Sequence, residues 1–239
     1  MIRIPAVTCD NLILSQAQEC NYPPVDKEII HSVTDSAADG CLPAEQALRL
    51  LDAIGISRQK EIIATSATEA KYAATDIGYP INLKSISAHD NSLDEAVEDV
   101  SDENTLKMEF RRLVLSSDVK GVMLGPSLKG ARAYFGVLRS AKWGHLVMCG
   151  TFAKGESRPG NFVFCTMPVT RTEAQQMFAR VKGDLQLNEL SFVETLCRLS
   201  ALCHAAPEIE RMDIMPAVAN ARCVVALDTA VCVKKTIES

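Results

Sequence analysis

A few side chains in this sequence stand where chemistry could use them. Lys84 lies inside the apolar run INLKSI, residues 81–86. An ammonium on a rigid strand can neutralise phosphate charge. An edge-strand lysine with a packed stem and a solvated head accounts for the same spacing and is the plainer reading. Asp213 and Asp228 each fall in one of two apolar closing runs. Paired strand carboxylates can hold Mg2+ with a phosphate ligand, or can be the polar half of a half-exposed sheet. The pattern leaves both open. His89 follows the INLKSI run in an irregular polar loop, where functional groups concentrate, although a solvated imidazole explains it more simply. His145 opens an apolar strand and reads as structural. The four histidines, with His31 and His204, are too scattered to suggest a metal cluster.

The elements that must position these residues follow from periodicity and punctuation. Residues 25–38 could form a short amphipathic helix after the break at Pro23-Pro24. Ala47, Leu50, Leu51 and Ile54 recur at helical spacing between Pro43 and Gly55. Residues 61–64 read as a strand. Ser66 with Glu69 forms a capping box for a helix that Gly78 and Pro80 stop. Residues 87–117 are polar and acidic, and read as a solvated loop or lid leading into a helix at 105–114. Strands follow at 119–124, 133–138, 145–149 and 161–165. One helix carries Met177, Phe178 and Val181, and another Phe192, Leu196, Leu199 and Cys203. Closing strands lie at 212–215 and 223–227, which completes an alternating α/β pattern.

Composition narrows the class. In 239 residues the hydrophobic share is 47% and the charged share 23%, which is ordinary globular usage. With a net charge of −5 there is no basic footprint for nucleic acid. No apolar run is long enough to span a membrane, and the first residues carry no signal-peptide core. Nine cysteines without a C-x-x-C pair read as free thiols in a reducing cytosol, most of them packed as small hydrophobes. The common phosphate, nucleophile-elbow and zinc-helix motifs, G-x-G-x-x-G, G-x-x-x-x-G-K-S/T, G-x-S-x-G and H-E-x-x-H, are all missing.

Several runs together nevertheless resemble one family. Leu42-Pro43-Ala44-Glu45 through LLDAIGIS, the SATEA helix and IGYPINLKSIS are similar to the opening of the ATP-grasp domain of ADP-forming acyl-CoA synthetases, related to the succinyl-CoA synthetase beta subunit. KGVMLGPSLKGARAYFGVLRSAKWGHLVMCG, MDIMP and VVALDTAV resemble its later strands. The likeness runs over about residues 26–233. It implies an α/β ATP-grasp fold of two α+β subdomains. These are a smaller one at 41–119, with helix 43–54 packing on the larger, and a larger one at 120–239. An N-terminal segment, 1–40, precedes them. It also implies ATP or ADP with Mg2+, a reversible conversion of acyl-CoA, ADP and phosphate to acid, CoA and ATP, and a CoA-binding alpha-type partner carrying a phosphohistidine. A homo-oligomer and a cytoplasmic setting are further expectations. On this resemblance Lys84 meets the nucleotide phosphates, Val122, Met123 and Leu124 lie against the adenine through backbone groups, Asp228 and Asp213 are metal ligands, and His89 stands for the phosphoryl-transfer histidine.

The chain departs from the family pattern where nucleotide is contacted. The glycine-rich G-L-G-G-x-F-x-E falls on residues 150–157, where Phe152 and Ala153 replace two glycines and Ser157 replaces the glutamate. D-I-N-P becomes Asp213-Ile214-Met215-Pro216, which puts a thioether where an oxygen ligand stood; hard Mg2+ does not favour sulfur. F-R-x-x-P and G-R-E lose a guanidinium and a carboxylate. The alternative expectation is therefore a non-catalytic subunit that keeps the fold and the partner interface but binds MgATP weakly or not at all.

Overall fold

The computed structural model describes residues 4–17, 20–87, 96–115, 119–153, 156 and 160–235. In chain order the first elements are β1 (Leu12–Ile13), α1 (Lys27–Ser36), β2 (Gly40–Cys41), α2 (Ala44–Ala53), β3 (Ile62–Ala64), α3 (Ala67–Ile77), β4 (Ile81–Ser87), β5 (Ala96–Val100) and α4 (Glu103–Leu113). Next come β6 (Val119–Pro126), β7 (Ala131–Ser140), β8 (Gly144–Thr151), β9 (Asn161–Thr166), α5 (Arg171–Val181) and α6 (Glu189–Ala205). The chain closes with β10 (Ile209–Ala219), β11 (Val224–Ala226) and β12 (Thr229–Val233). Two units result, Met1–Arg58 with Gly130–Ser239, and Gln59–Lys129.

The smaller unit is a four-stranded antiparallel sheet in the order β3-β6-β4-β5. Its helices start where the sequence supplies caps. Ser66 Oγ accepts from Glu69 N at 3.2 Å, and Asp102 Oδ1 accepts from Asn104 N and Thr105 N. Alternation along the strands sends Ile81, Leu83, Val122, Leu124 and Ala64 into one core with Ala70, Leu106 and Phe110 of the two helices. Two expectations change here. Strand β6 is interior to this sheet, so the boundary falls after Lys129 and not between residues 119 and 120. The acidic stretch contains β5, which the charge of Glu98 and Asp99 hides in the sequence; Val97 and Val100 pack inward while the carboxylates face water. An edge strand tolerates that charge.

The larger unit has an eight-stranded sheet, β1-β9-β8-β7-β10-β12-β2, with β11 on β10. Every pairing is antiparallel except β1 with β9. One face packs on α1, α2, α5 and α6 through Phe135, Val137, Met177, Phe192, Leu196 and Met212. The other face carries a second apolar cluster, Tyr134, Leu146, Met148, Phe152 and Phe164, joined by Ile4, Val7 and Leu12 of the N-terminal segment. The closing strand expected at 223–227 is two strands: β11 and β12 both pair with β10, and Asp228 sits between them, outside either. On its other side β10 has a register shift against β7 between Ile214 and Ala217. The free-thiol expectation also changes. Cys41 and Cys232 are register partners on β2 and β12 and form a disulfide, while Cys149, Cys165, Cys197 and Cys203 are buried thiols. A pair 191 residues apart leaves no spacing to read. Among the described residues no helix is long and apolar enough to cross a membrane.

Candidate functional site

In the smaller unit the face away from the helices is open, and one cross-strand row dominates it. Ile63 is register partner to Met123, Met123 to Lys84, and Lys84 to Ala96. Lys84 is exposed, and Ile63 keeps 61% of its surface. Gly121 and Gly125, two residues either side on the same face of β6, carry no side chain beside Met123. The Gln59 side chain lies over Gly125, and the rest of the row combines a cation with an apolar strip, which suits an anion attached to a flat apolar group. Val122 and Leu124 are fully buried and point into the helix-side core. Residues 122–124 are paired with β3 on one side and β4 on the other. Their backbone groups are taken up in the sheet, so Met123's side chain is what this stretch offers on the open face.

The larger unit holds both carboxylates, with Asp213 on the strand face away from its helices and Asp228 between β11 and β12. Asp213 is 4% exposed. Its Oδ1 accepts from Tyr134 Oη at 2.5 Å and from Arg211 Nε and Nη2, each at 3.2 Å. Its Oδ2 has no hydrogen-bond partner but lies 3.0 Å from Arg211 Nε in an ion pair. The alignment of that nitrogen favours Oδ1, and we read the contact with Oδ2 as electrostatic. Burial, and then the Asp213 carboxylate, push the Tyr134 phenol well above the ordinary tyrosine range. Asp228 is exposed, and its Oδ1 accepts from Thr229 N at 2.7 Å. Its carbonyl accepts from Met215 N at 3.1 Å, and the Met215 side chain packs on the apolar cluster of Tyr134 and Met148.

Tested against Mg2+, this donor set does not fit. A hard divalent ion takes several oxygens at about 2.1 Å. Asp213 is already occupied by a guanidinium and a phenol, and Met215 offers sulfur. Among the described residues no group of three or more His, Cys, Asp or Glu could hold a metal ion.

The residues aligned with the glycine-rich loop are also filled. Phe152 is 5% exposed, its N–H donates to the Arg132 carbonyl at 3.0 Å, and the Arg132 guanidinium lies 4.9 Å from its ring centroid. They border a cavity of about 470 Å³ with Gly130, Ala153, Glu156 and Leu185. His145 Nε2 is 2.7 Å from the Ile209 carbonyl, and burial lowers its pKa, as suits a neutral structural imidazole. His89 and Ser157 lie outside the described residues.

Sequence reasoning missed Tyr134 and Arg211. Arg211 was readable: in E-R-M-D the i, i+2 spacing to Asp213 puts both on one face of a strand. Tyr134 carried no such signal, because its pairing with Asp213 depends on the β7–β10 register.

The sequence matches the ATP-grasp domain family over residues 34–233. Among curated relatives, acetate–CoA ligase (ADP-forming) II of Archaeoglobus fulgidus is 26% identical over 200 residues, covering 77% of this chain and 29% of that protein. The beta subunit of acetate–CoA ligase (ADP-forming) II of Pyrococcus furiosus is 24% identical over 192 residues, covering 72% of this chain and 81% of that one. The chain spans only about three-tenths of the length of the first two ligases it matches, 29% and 30%. Among solved structures, dinucleotide forming acetyl-coenzyme A synthetase 1 of Ca. Korarchaeum cryptofilum superposes with a TM-score of 0.65 at 18% identity, over 87% of this chain and 100% of that one. Another structure of that protein holds coenzyme A and Mg-AMPPCP. The family match covers well over half of the residues: this chain belongs to the ATP-grasp domain family.

Proposed function

We propose that this chain is the nucleotide-binding part of an ADP-forming acyl-CoA synthetase. The reaction converts acyl-CoA, ADP and phosphate reversibly to acid, CoA and ATP. A CoA-binding alpha-type subunit or domain supplies the phosphohistidine, and the setting is cytoplasmic. The observation that carries the reading is the Ile63–Met123–Lys84 row on the open face of the smaller sheet, in a chain whose relatives are named as such ligases. On this reading the base rests on the apolar strip and the phosphates meet the Lys84 ammonium. Phosphoryl transfer asks the protein mainly for position and positive charge. His89 remains the candidate phosphoryl-transfer histidine of this chain.

A second reading has its own observation. Asp213 is occupied by Arg211 and Tyr134, and Phe152 fills the glycine-rich position. Those features favour a non-catalytic subunit that keeps the fold and the partner surface.

Calorimetric titration of the full chain with ATP and with ADP separates the two, beside Lys84→Ala. Nucleotide binding that the substitution weakens by about tenfold or more supports the first reading, since a phosphate–lysine contact is a charge-assisted one. No heat up to about millimolar nucleotide, an affinity of only about 4 kcal/mol, overturns it and leaves the second.

A further inference from the structure

We propose that Arg211 is a resident cation of the larger unit: its guanidinium occupies the Asp213 carboxylate, so this unit takes no divalent ion there and nucleotide is bound without metal. The proposal rests on the nucleotide-binding reading only in its last clause.

A carboxylate as buried as Asp213 requires positive charge close by. Strand alternation supplies it from two residues away. Met212 and Ile214 enter the helix-side core, while Arg211 and Asp213 share the opposite face. The guanidinium reaches both carboxylate oxygens, 3.2 Å to Oδ1 and 3.0 Å to Oδ2. Tyr134 Oη completes Oδ1 at 2.5 Å. Three donor atoms thus converge on Oδ1. A divalent ion on Oδ2 would sit against the guanidinium, cation beside cation, in a setting that screens poorly.

The neighbouring position points the same way. Met215 and Asp228 are paired by a backbone hydrogen bond at 3.1 Å. The pair offers a metal one exposed carboxylate and one thioether, a soft and a hard donor that no oxygen-seeking ion combines well. Arg211, by contrast, brings its cation on the chain itself and needs no loading.

Two measurements on the full chain test this. The first is Mn2+ binding by electron paramagnetic resonance, with no nucleotide present. Wild type and Arg211→Lys, which keeps a cation on Asp213, are expected to take up no stoichiometric Mn2+. The double variant Arg211→Met/Met215→Asn, which frees the carboxylate and restores an oxygen donor, is expected to bind Mn2+ at least about tenfold more tightly than either. Stoichiometric Mn2+ on the wild type overturns the proposal. So does a folded double variant, checked by circular dichroism, that binds no better.

The second measurement survives a double variant that fails to fold. ATP is titrated into wild type with Mg2+ and again with excess chelator. Affinities within about twofold are expected, and weakening by about tenfold or more on chelation overturns the inference. If ATP binds under neither condition, the nucleotide reading fails and the inference fails in its last clause. The Mn2+ comparison then decides the role of Arg211 alone.

Discussion

Removing one hydroxyl from the buried triad isolates what holds Asp213 in place. Tyr134→Phe keeps the ring and deletes the donor that reaches Asp213 Oδ1 at 2.5 Å. Tyr134 is fully buried and Asp213 is 4% exposed, so water does not take over the lost bond. Hydrogen bonds to charged groups contribute about 1.5–3 kcal/mol. Arg211 stays on the carboxylate, which puts the expected loss near the middle of that range, about 2 kcal/mol at pH 8.

The dependence on pH gives the test its sign. Burial and the Asp213 carboxylate raise the phenol above its ordinary value of 10.0. The folded chain therefore keeps this proton where the unfolded chain releases it. The contribution is present in full below the unfolded value and is lost as pH rises, by about 1.4 kcal/mol per pH unit. The phenylalanine variant has no such proton. The gap between the two proteins should then shrink from about 2 kcal/mol at pH 8 towards zero by roughly pH 11.5. Other alkaline effects, including lysine deprotonation, act on both proteins and cancel in the difference. Urea denaturation followed by the fluorescence of Trp143, the single tryptophan, reads this directly because Trp143 packs on the same cluster. A loss below about 0.5 kcal/mol at pH 8, or a gap that does not change with pH, refutes the reasoning.

Gly136 lies under the same triad, and a Cβ there would meet the Met212 carbonyl and Tyr134 Oη, both at 2.5 Å. Gly136→Ala should therefore cost at least about 2 kcal/mol in urea denaturation, because a strand carbonyl cannot give way as a side-chain end can; an unchanged midpoint contradicts the packing. The Cys41–Cys232 bond predicts a thiol count. The denatured, unreduced chain should show seven reactive thiols and the reduced chain nine, and nine without reductant would remove the bond from the account.

Local rules carried much of the fold. The cap at Ser66 and the stops at Gly55 and Gly78 are decided by neighbours in sequence, and the helices they bound stand where those signals put them. What could not be read there depended on pairing. The acidic run hid β5, because charge on the solvent side of an edge strand resembles charge in a loop. Asp228 is expected within a closing strand and lies between two, β11 and β12, because both pair with β10 and the apolar run alone does not show where one ends. Lys84 shows the same division. Its place on a strand was legible, but its apolar neighbours Met123 and Ile63 come from strands about 40 and 20 residues away, joined only by register.

That division bears on how the altered motif should be weighed. Read as a string, D-I-M-P lacks a ligand and argues against nucleotide. Read as a strand face, the same segment brings Arg211 onto Asp213, so a carboxylate that would repel phosphate is neutralised in place. A metal in such a site normally does two things: it offsets the carboxylates and it offsets the phosphates. Arg211 does the first without a metal. The missing oxygen donor at Met215 is thus evidence against a metal site, and on electrostatic grounds it is not by itself evidence against a nucleotide. Catalysis is a separate matter. Transferring a phosphoryl group needs charge on the oxygens that develop it in the transition state, and neither Arg211, held on Asp213, nor Phe152, filling the glycine position, supplies that. Binding without turnover is the outcome these residues favour for the chain alone, and a partner that restores turnover would have to bring the missing cation with it.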